Sequence, residues 1–126
     1  MKRIILVVED QPEIRKLICM TMDYDGFEVH EADNGEAALK LITALRPNIV
    51  LLDVMMPGKL DGFQVCERVR ADPELADTPI VMLTARGQQA DIEAGRWAGC
   101  SAYLTKPFSP LQLIETVERL TGTTVS

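Results

Sequence analysis

Short apolar runs alternate along this chain with segments whose apolar residues recur every three or four positions. Ile4 to Val8 is continuous, mostly β-branched and followed by two acids, the pattern of a strand buried on both faces. Pro12 then opens a helix whose expected inner face is Ile14, Leu17, Ile18 and Met22, and Asp25-Gly26 ends it. Phe27 to Ala32 is more polar and predicts a weaker strand at a sheet edge. Asp33, with Glu36 three residues later, predicts a helix cap and its reciprocal partner. Ala38, Leu41, Ile42 and Leu45 form the apolar stripe of that helix, and Pro47 stops it.

Ile49 to Leu52 is the second strongly apolar run, followed by a Pro- and Gly-containing loop from Met56 to Gly62. A helix through Phe63, Cys66 and Val69 comes next, then a strand from Ile80 to Leu83 introduced by Pro79. A fourth helix is predicted over 88–97 and a short strand near Tyr103-Leu104. Ser109, Pro110 and Gln112 combine a cap, a proline at the first helical position and the cap's partner. The last helix should present Leu113, Ile114, Val117 and Leu120 inward, and the tail 122–126 carries no pattern. Five strands alternating with five helices imply an α/β three-layer sandwich around a parallel sheet with right-handed crossovers.

The 126 residues suit one domain, placed at 1–121 with the short tail beyond it. Thirteen basic against nineteen acidic residues give a net charge of −6, which argues against direct nucleic-acid binding. Lys40, Arg46, Lys59, Arg68 and Arg70 form no basic run. Three widely spaced cysteines, Cys19, Cys66 and Cys100, predict reduced thiols in a cytoplasmic protein. No apolar run approaches the ~20 residues that span a bilayer, so no membrane association is expected.

Candidate chemistry gathers at the strand ends. Glu9-Asp10 follows the first strand, Asp53 the third, Thr84 the fourth and Lys106 the fifth. Ligands of open parallel sheets sit outside the carboxyl ends of the strands. Taken singly, Asp10 or Thr84 reads as a helix cap and Lys106 as a solvated charge; their joint placement is what those readings leave unexplained. Three neighbouring carboxylates repel one another, and one lysine cannot neutralise them. A hard divalent ion such as Mg2+ (Mn2+ being the alternative) would. An aspartate carboxylate can itself be a nucleophile toward phosphorus. The sole histidine, His30, lies within the edge strand and offers no catalytic dyad, and no Gly-rich phosphate loop is present.

Those residues, together with Met56-Pro57, Asp61-Gly62, Leu83-Thr84-Ala85 and Tyr103 to Phe108, resemble the response-regulator receiver family from residue 3 to about 121. The resemblance implies the flavodoxin-like receiver fold with strand order 2-1-3-4-5. It implies Asp53 as phospho-acceptor, and Glu9, Asp10, Asp53 and the Met55 backbone carbonyl around the metal, Glu9 largely through a water. Lys106, preceding a cis proline bond, would pair with Asp53, while Thr84 and Tyr103 would form the switch. The donor would be a histidine kinase or phosphotransfer protein. The readout by an unknown downstream protein or output domain would use a face containing Gln89, Ile92, Arg96, Trp97 and Tyr103. Trp97 suits simple packing or a partner contact equally. The start at Met1 favours a stand-alone regulator over a piece of a longer protein.

Two departures from the family pattern stand out. The loop after Asp53 carries one extra residue among Gly58, Lys59 and Leu60, which leaves its path and the next helix start open. Met55 and Arg86 flank the acceptor, and a bulky apolar group beside a cation predicts slow hydrolysis of the phosphoryl group. A protein-docking module without phosphorylation is one alternative. An aspartate-nucleophile phosphohydrolase is another, and it would carry a second aspartate where Met55 stands.

Overall fold

The computed structural model describes residues 3–23, 27–56, 58–84 and 89–122, with the side chains of 89–91 excepted. Expectations placed on Asp25, Gly26, Pro57, Ala85, Arg86, Gln88 and the tail beyond 122 lie outside the described residues, as does the side chain of Gln89. The chain runs β1 (Ile4–Val8), α1 (Pro12–Met22), β2 (Glu28–Ala32), α2 (Gly35–Leu45), β3 (Ile49–Asp53), α3 (Gly62–Ala71), β4 (Ile80–Thr84), α4 (Gln89–Ala98), β5 (Ala102–Thr105) and α5 (Pro110–Thr121). The strands form one sheet in the order β2-β1-β3-β4-β5, each neighbouring pair parallel. This is the α/β sandwich that the alternating pattern and the family resemblance predicted.

Alternation along the strands divides the core in two. Ile5, Val7, Ile49, Leu51, Val81 and Leu83 pack with Ile18 and Met22 of α1 and with Leu113 and Val117 of α5. Leu6, Val8, Val50, Leu52, Ile80 and Met82 pack on the other face with Ala38 and Ile42 of α2, Val65, Cys66 and Val69 of α3, and Ala98 of α4. Because β1, β3 and β4 are covered on both sides, their residues are apolar without a break until Asp53 and Thr84 close β3 and β4. Each fully buried Leu, Ile or Met contributes roughly 1.5–3 kcal/mol. The edge strand β2 is polar as expected, and His30 is held there by Glu28, 2.8 Å away.

Two local expectations are corrected. Leu17 is 58% exposed and does not belong to the inner face of α1, which closes on Ile18 and Met22. The cap of α2 is Asn34, whose side chain accepts from the Ala37 N–H at 2.8 Å, and Asp33 lies one residue outside it. Glu36, no longer a capping partner, accepts instead from the Lys59 N–H at 3.0 Å. That contact belongs to the lengthened loop, which is described from Gly58 onward. Leu60 is buried against the start of α2, and a side chain at Gly35 would lie 2.7 Å from both the Leu60 Cβ and its carbonyl oxygen. The loop then delivers Asp61 as the cap of α3, with Gln64 as reciprocal partner. The predicted capping box of α5, Ser109 with Gln112, is present.

Candidate functional site

Strand register brings the candidate residues together. Val8 pairs with Leu52, so the next residues, Glu9 and Asp53, stand beside each other across β1 and β3. Asp53 pairs with Leu83, and Thr84 follows; Thr84 pairs with Thr105, and Lys106 follows. The backbone continues this lattice past the strands. Glu9 N–H donates to the Ala32 carbonyl, Val54 N–H to Leu83 and Lys106 N–H to Thr84. These side chains therefore follow directly on hydrogen-bonded strand ends.

Glu9, Asp10 and Asp53 each offer a carboxylate oxygen within 4.8 Å of the others. Glu9 is fully buried and Asp53 is 4% exposed. The Lys106 Nζ donates to Glu9 Oε1 at 2.5 Å and lies 3.5 Å from Asp53 Oδ1. Burial pushes the Asp53 carboxyl up to about 8, reinforced by the adjacent Glu9 and only partly opposed by Lys106. Burial also works against ionised Glu9, but hydrogen bonds with Asp53 and Lys106 outweigh it and hold Glu9 below the usual carboxylate range. Together these opposite directions favour a proton on the Asp53 side of the carboxylate pair and ionised Glu9 beside Lys106. Three clustered acids against one ammonium suit a hard divalent cation taking oxygen ligands.

The surrounding backbone is tightly fitted. A side chain at Gly62 would meet the Asp53 carbonyl oxygen at 2.5 Å and the Val54 Cα at 2.8 Å, so only glycine lets α3 start this close to Asp53. Gly62 N–H donates to the Val54 carbonyl at 3.0 Å. Met55 N–H points to Asp53 Oδ1 at 3.4 Å. Arg15 Nη1 donates to the Glu9 carbonyl at 2.8 Å and its Nε to Glu31 at 3.1 Å, tying α1 to the end of β1.

A model of the family described as the response regulator receiver domain matches residues 5–118. This chain belongs to that family.

The receiver is 40% identical over 116 residues to the DNA-binding dual master transcriptional regulator RpaA of Synechocystis, covering 92% of this chain and 48% of that protein. It therefore spans about half the length of the curated relatives it matches. Its structure resembles the chemotaxis response regulator CheY4 of Vibrio cholerae with a TM-score of 0.87 at 32% identity, covering 95% of this chain and 99% of that one. It also resembles the receiver domain of the sensor histidine kinase PA1611 of Pseudomonas aeruginosa, with a TM-score of 0.88 at 31% identity, covering 97% and 99%. That structure holds a magnesium ion in its active-site cleft. No helix among the described residues is long and apolar enough to cross a membrane.

Within this receiver Glu9, Asp10, Asp53 and Lys106 converge as expected from the strand ends, with one change of partner, while Thr84 ends the neighbouring strand. Lys106 bonds Glu9 at 2.5 Å and stands farther from Asp53, at 3.5 Å. The Lys106-Pro107 bond is cis. Thr84 is fully buried, and Tyr103 is half-buried against the α2–α4 core. Strand alternation places Thr84 and Tyr103 on the same sheet face as Met82, opposite the face followed by Leu51, Asp53 and Leu104. Trp97 is 89% exposed, which removes the packing explanation for it. Arg96 is exposed and Ile92 half-buried beside it on α4.

Sequence reasoning missed Arg70. Its guanidinium donates to the carbonyls of Ala76, Thr78 and Gly99 and reaches Ser101 Oγ, joining α3 to the segments before β4 and β5. Nothing in the local pattern distinguishes it from Arg68 two residues earlier. The three cysteines are free, and burial raises each thiol, that of Cys19 to about 12 and that of Cys66 to about 11.

Proposed function

We propose that this receiver is a phosphorylation switch whose Asp53 accepts a phosphoryl group from a histidine kinase or phosphotransfer protein. The observation that carries this reading is the placement of one nearly buried aspartate between two further carboxylates and a lysine at the end of the central strand. Glu9, Asp10, Asp53 and the Met55 carbonyl would hold Mg2+, with Mn2+ as a substitute. The metal supplies charge neutralisation, which favours ionised Asp53 and offsets the negative charge of the incoming phosphoryl group. An Asp53 oxygen forms the bond to phosphorus as the donor's phosphorus–nitrogen bond breaks, and the departing imidazole keeps that electron pair and takes up a proton. Lys106, already within 3.5 Å of Asp53, neutralises a phosphoryl oxygen.

Thr84 and Tyr103 then act as the bistable element, carrying the local charge change to a surface formed by α4, β5 and α5. Gln89, Ile92, Arg96, Trp97 and Tyr103 are the residues on which a downstream protein or output domain would read the state. The receiver works in the cytoplasm and makes no direct contact with nucleic acid or membrane. Its catalysis is confined to its own phosphorylation and dephosphorylation. Met55, 55% exposed and two residues past the acceptor, supports slow hydrolysis by shielding the phosphoryl group from water.

Incubation with magnesium and acetyl phosphate, followed by intact-mass measurement, tests the reading. A phosphoryl increment present in the wild type and absent in Asp53→Ala is expected. No increment, with Mg2+ present, would reduce the domain to a docking module, and turnover of unrelated phosphate esters would make it a hydrolase. Loss of the increment within seconds would refute the slow hydrolysis.

A further inference from the structure

Gly95 lies in the last turn of α4, where a glycine costs roughly 1 kcal/mol of helix stability relative to alanine. Capping alone does not require glycine there. The helix ends with Gly99 in the left-handed region at φ 92°, and the Gly95 carbonyl accepts from the N–H groups of Gly99 at 3.1 Å and Cys100 at 3.0 Å. Gly99 N–H also reaches the Arg96 carbonyl at 2.9 Å, completing a closure that any residue could form at position 95. In such closures an apolar side chain at this position commonly packs on the residue after the left-handed one, here Cys100.

At Gly95 that space is taken by another residue. A Cβ placed there would lie 2.9 Å from Tyr103 Cδ2, 3.2 Å from Cys100 Sγ and 3.2 Å from Tyr103 Cε2. Carbon atoms in contact prefer about 3.5–4.0 Å, so even a methyl group overlaps the ring. The three nearest atoms belong to β5 and the turn before it, not to α3, which packs on α4 nearby. Gly95 therefore leaves space for one specific group, the aromatic ring assigned above to the switch.

We infer that Gly95 is the positioning residue for Tyr103: the missing side chain leaves a slot on α4 that seats the ring and sets the conformational equilibrium of the switch. The inference rests on the reading of Thr84 and Tyr103 as the element that responds to Asp53. A rigid aromatic ring cannot yield by bending, so a methyl at position 95 drives it away from α4 as a unit. The ring then loses its resting place before any phosphoryl group arrives, and the change in its environment on phosphorylation shrinks.

Gly95→Ala, Tyr103→Leu and the double variant test this. With Tyr103 intact, Gly95→Ala should lower the folding equilibrium constant measured by urea titration. In the Tyr103→Leu background the slot is no longer filled by a ring, and the same change should raise that constant by up to roughly fivefold, as helix propensity dictates. Equal effects in both backgrounds would overturn the inference. Ring resonances of 13C-labelled tyrosine supply the readout that a purely structural role would not move. Tyr24 and Tyr103 are the only tyrosines, and Gly95→Ala should shift the Tyr103 signals in the unphosphorylated protein and reduce their response to acetyl phosphate with magnesium. Unchanged Tyr103 signals would refute the slot. If the wild type gains no phosphoryl mass, the phosphorylation reading fails, while the urea cycle and the unphosphorylated spectra still decide where the ring is seated.

Discussion

Removing the metal should make this receiver less stable as pH rises from about 5 to about 7, and Asp53 should be the cause. In the folded protein its carboxyl is pushed up to about 8 by burial and by Glu9, whereas its ordinary value is 3.8. A raised folded value means that the folded state keeps a proton that the unfolded chain releases. The resulting stability is complete below the ordinary value and is lost as pH climbs through the window from 3.8 to about 8. Each pH unit inside that window costs about 1.4 kcal/mol, so two units cost about 3 kcal/mol. Glu9 does not cancel this, because its lowered value acts only below the ordinary 4.5. For a domain of this size a urea slope of about 1.5 kcal/mol/M converts the loss into a midpoint shift of roughly 2 M.

Urea titrations in chelator at the two pH values, on wild type and Asp53→Asn, measure the effect. Asparagine has no proton to lose at this site, so the variant should show a much smaller shift and be the more stable protein near neutrality. Saturating Mg2+ should restore the wild type, by about 2.7 kcal/mol at a hundred times its dissociation constant. It should also release close to one proton per ion near pH 7, visible as a dependence of the binding heat on buffer. Equal pH slopes in the two proteins, or metal binding with no proton release, would refute the picture of a proton held between buried carboxylates.

Other expectations follow from individual contacts. Gly62→Ala places a methyl 2.5 Å from the Asp53 carbonyl oxygen; it should cost about 1–3 kcal/mol in thermal or urea unfolding and slow acceptance from acetyl phosphate. Asn34→Ala should cost about 1 kcal/mol by loss of the α2 cap, while Asp33→Ala should cost under about 0.5 kcal/mol, and the reverse order would restore Asp33 as the cap. Arg70→Met should cost about 2 kcal/mol or more, because carbonyls at Thr78 and Gly99 lose their donor, with hydrogen exchange rising in the segments before β4 and β5.

The difference between what the chain showed as a sequence and what it did not lies in the kind of information each feature needs. Ile49 to Leu52 and Ile80 to Leu83 were legible as buried strands because a central parallel strand is apolar on both faces. Ser109 with Gln112 was legible because a capping box is local. Leu17 was misplaced because the stripe on α1 is wider than the contact that α5 and the sheet offer it. Asp33 and Asn34 are adjacent residues of similar capping strength, and α2 is capped by Asn34 while Glu36 accepts from the Lys59 N–H. Gly95 was silent, and Gly62 was legible only as part of a motif and not as a packing requirement, for a further reason. A glycine required by another element's close approach leaves no trace in its own neighbourhood, and only the folded chain shows what occupies the missing volume.

The site itself follows from register more than from any single motif. Once β1, β3, β4 and β5 pair without a bulge, the residues that follow their last apolar positions must meet, and Glu9, Asp53, Thr84 and Lys106 are those residues. Alternation then separates their tasks. Asp53 and Lys106 share the parity of Leu51 and Leu104, whereas Thr84 and Tyr103 share the parity of Met82, so the residues proposed for acceptance and those proposed for response lie on opposite faces of one sheet edge. On the proposed reading, a charge change at Asp53 reaches Tyr103 through the strand ends and the groups packed on them. On the α4 side, the ring seated at Gly95 is the group that such a displacement meets first among the contacts described at Tyr103. On the proposed reading, charged residues supply the chemistry on one face and an absent side chain shapes the response on the other.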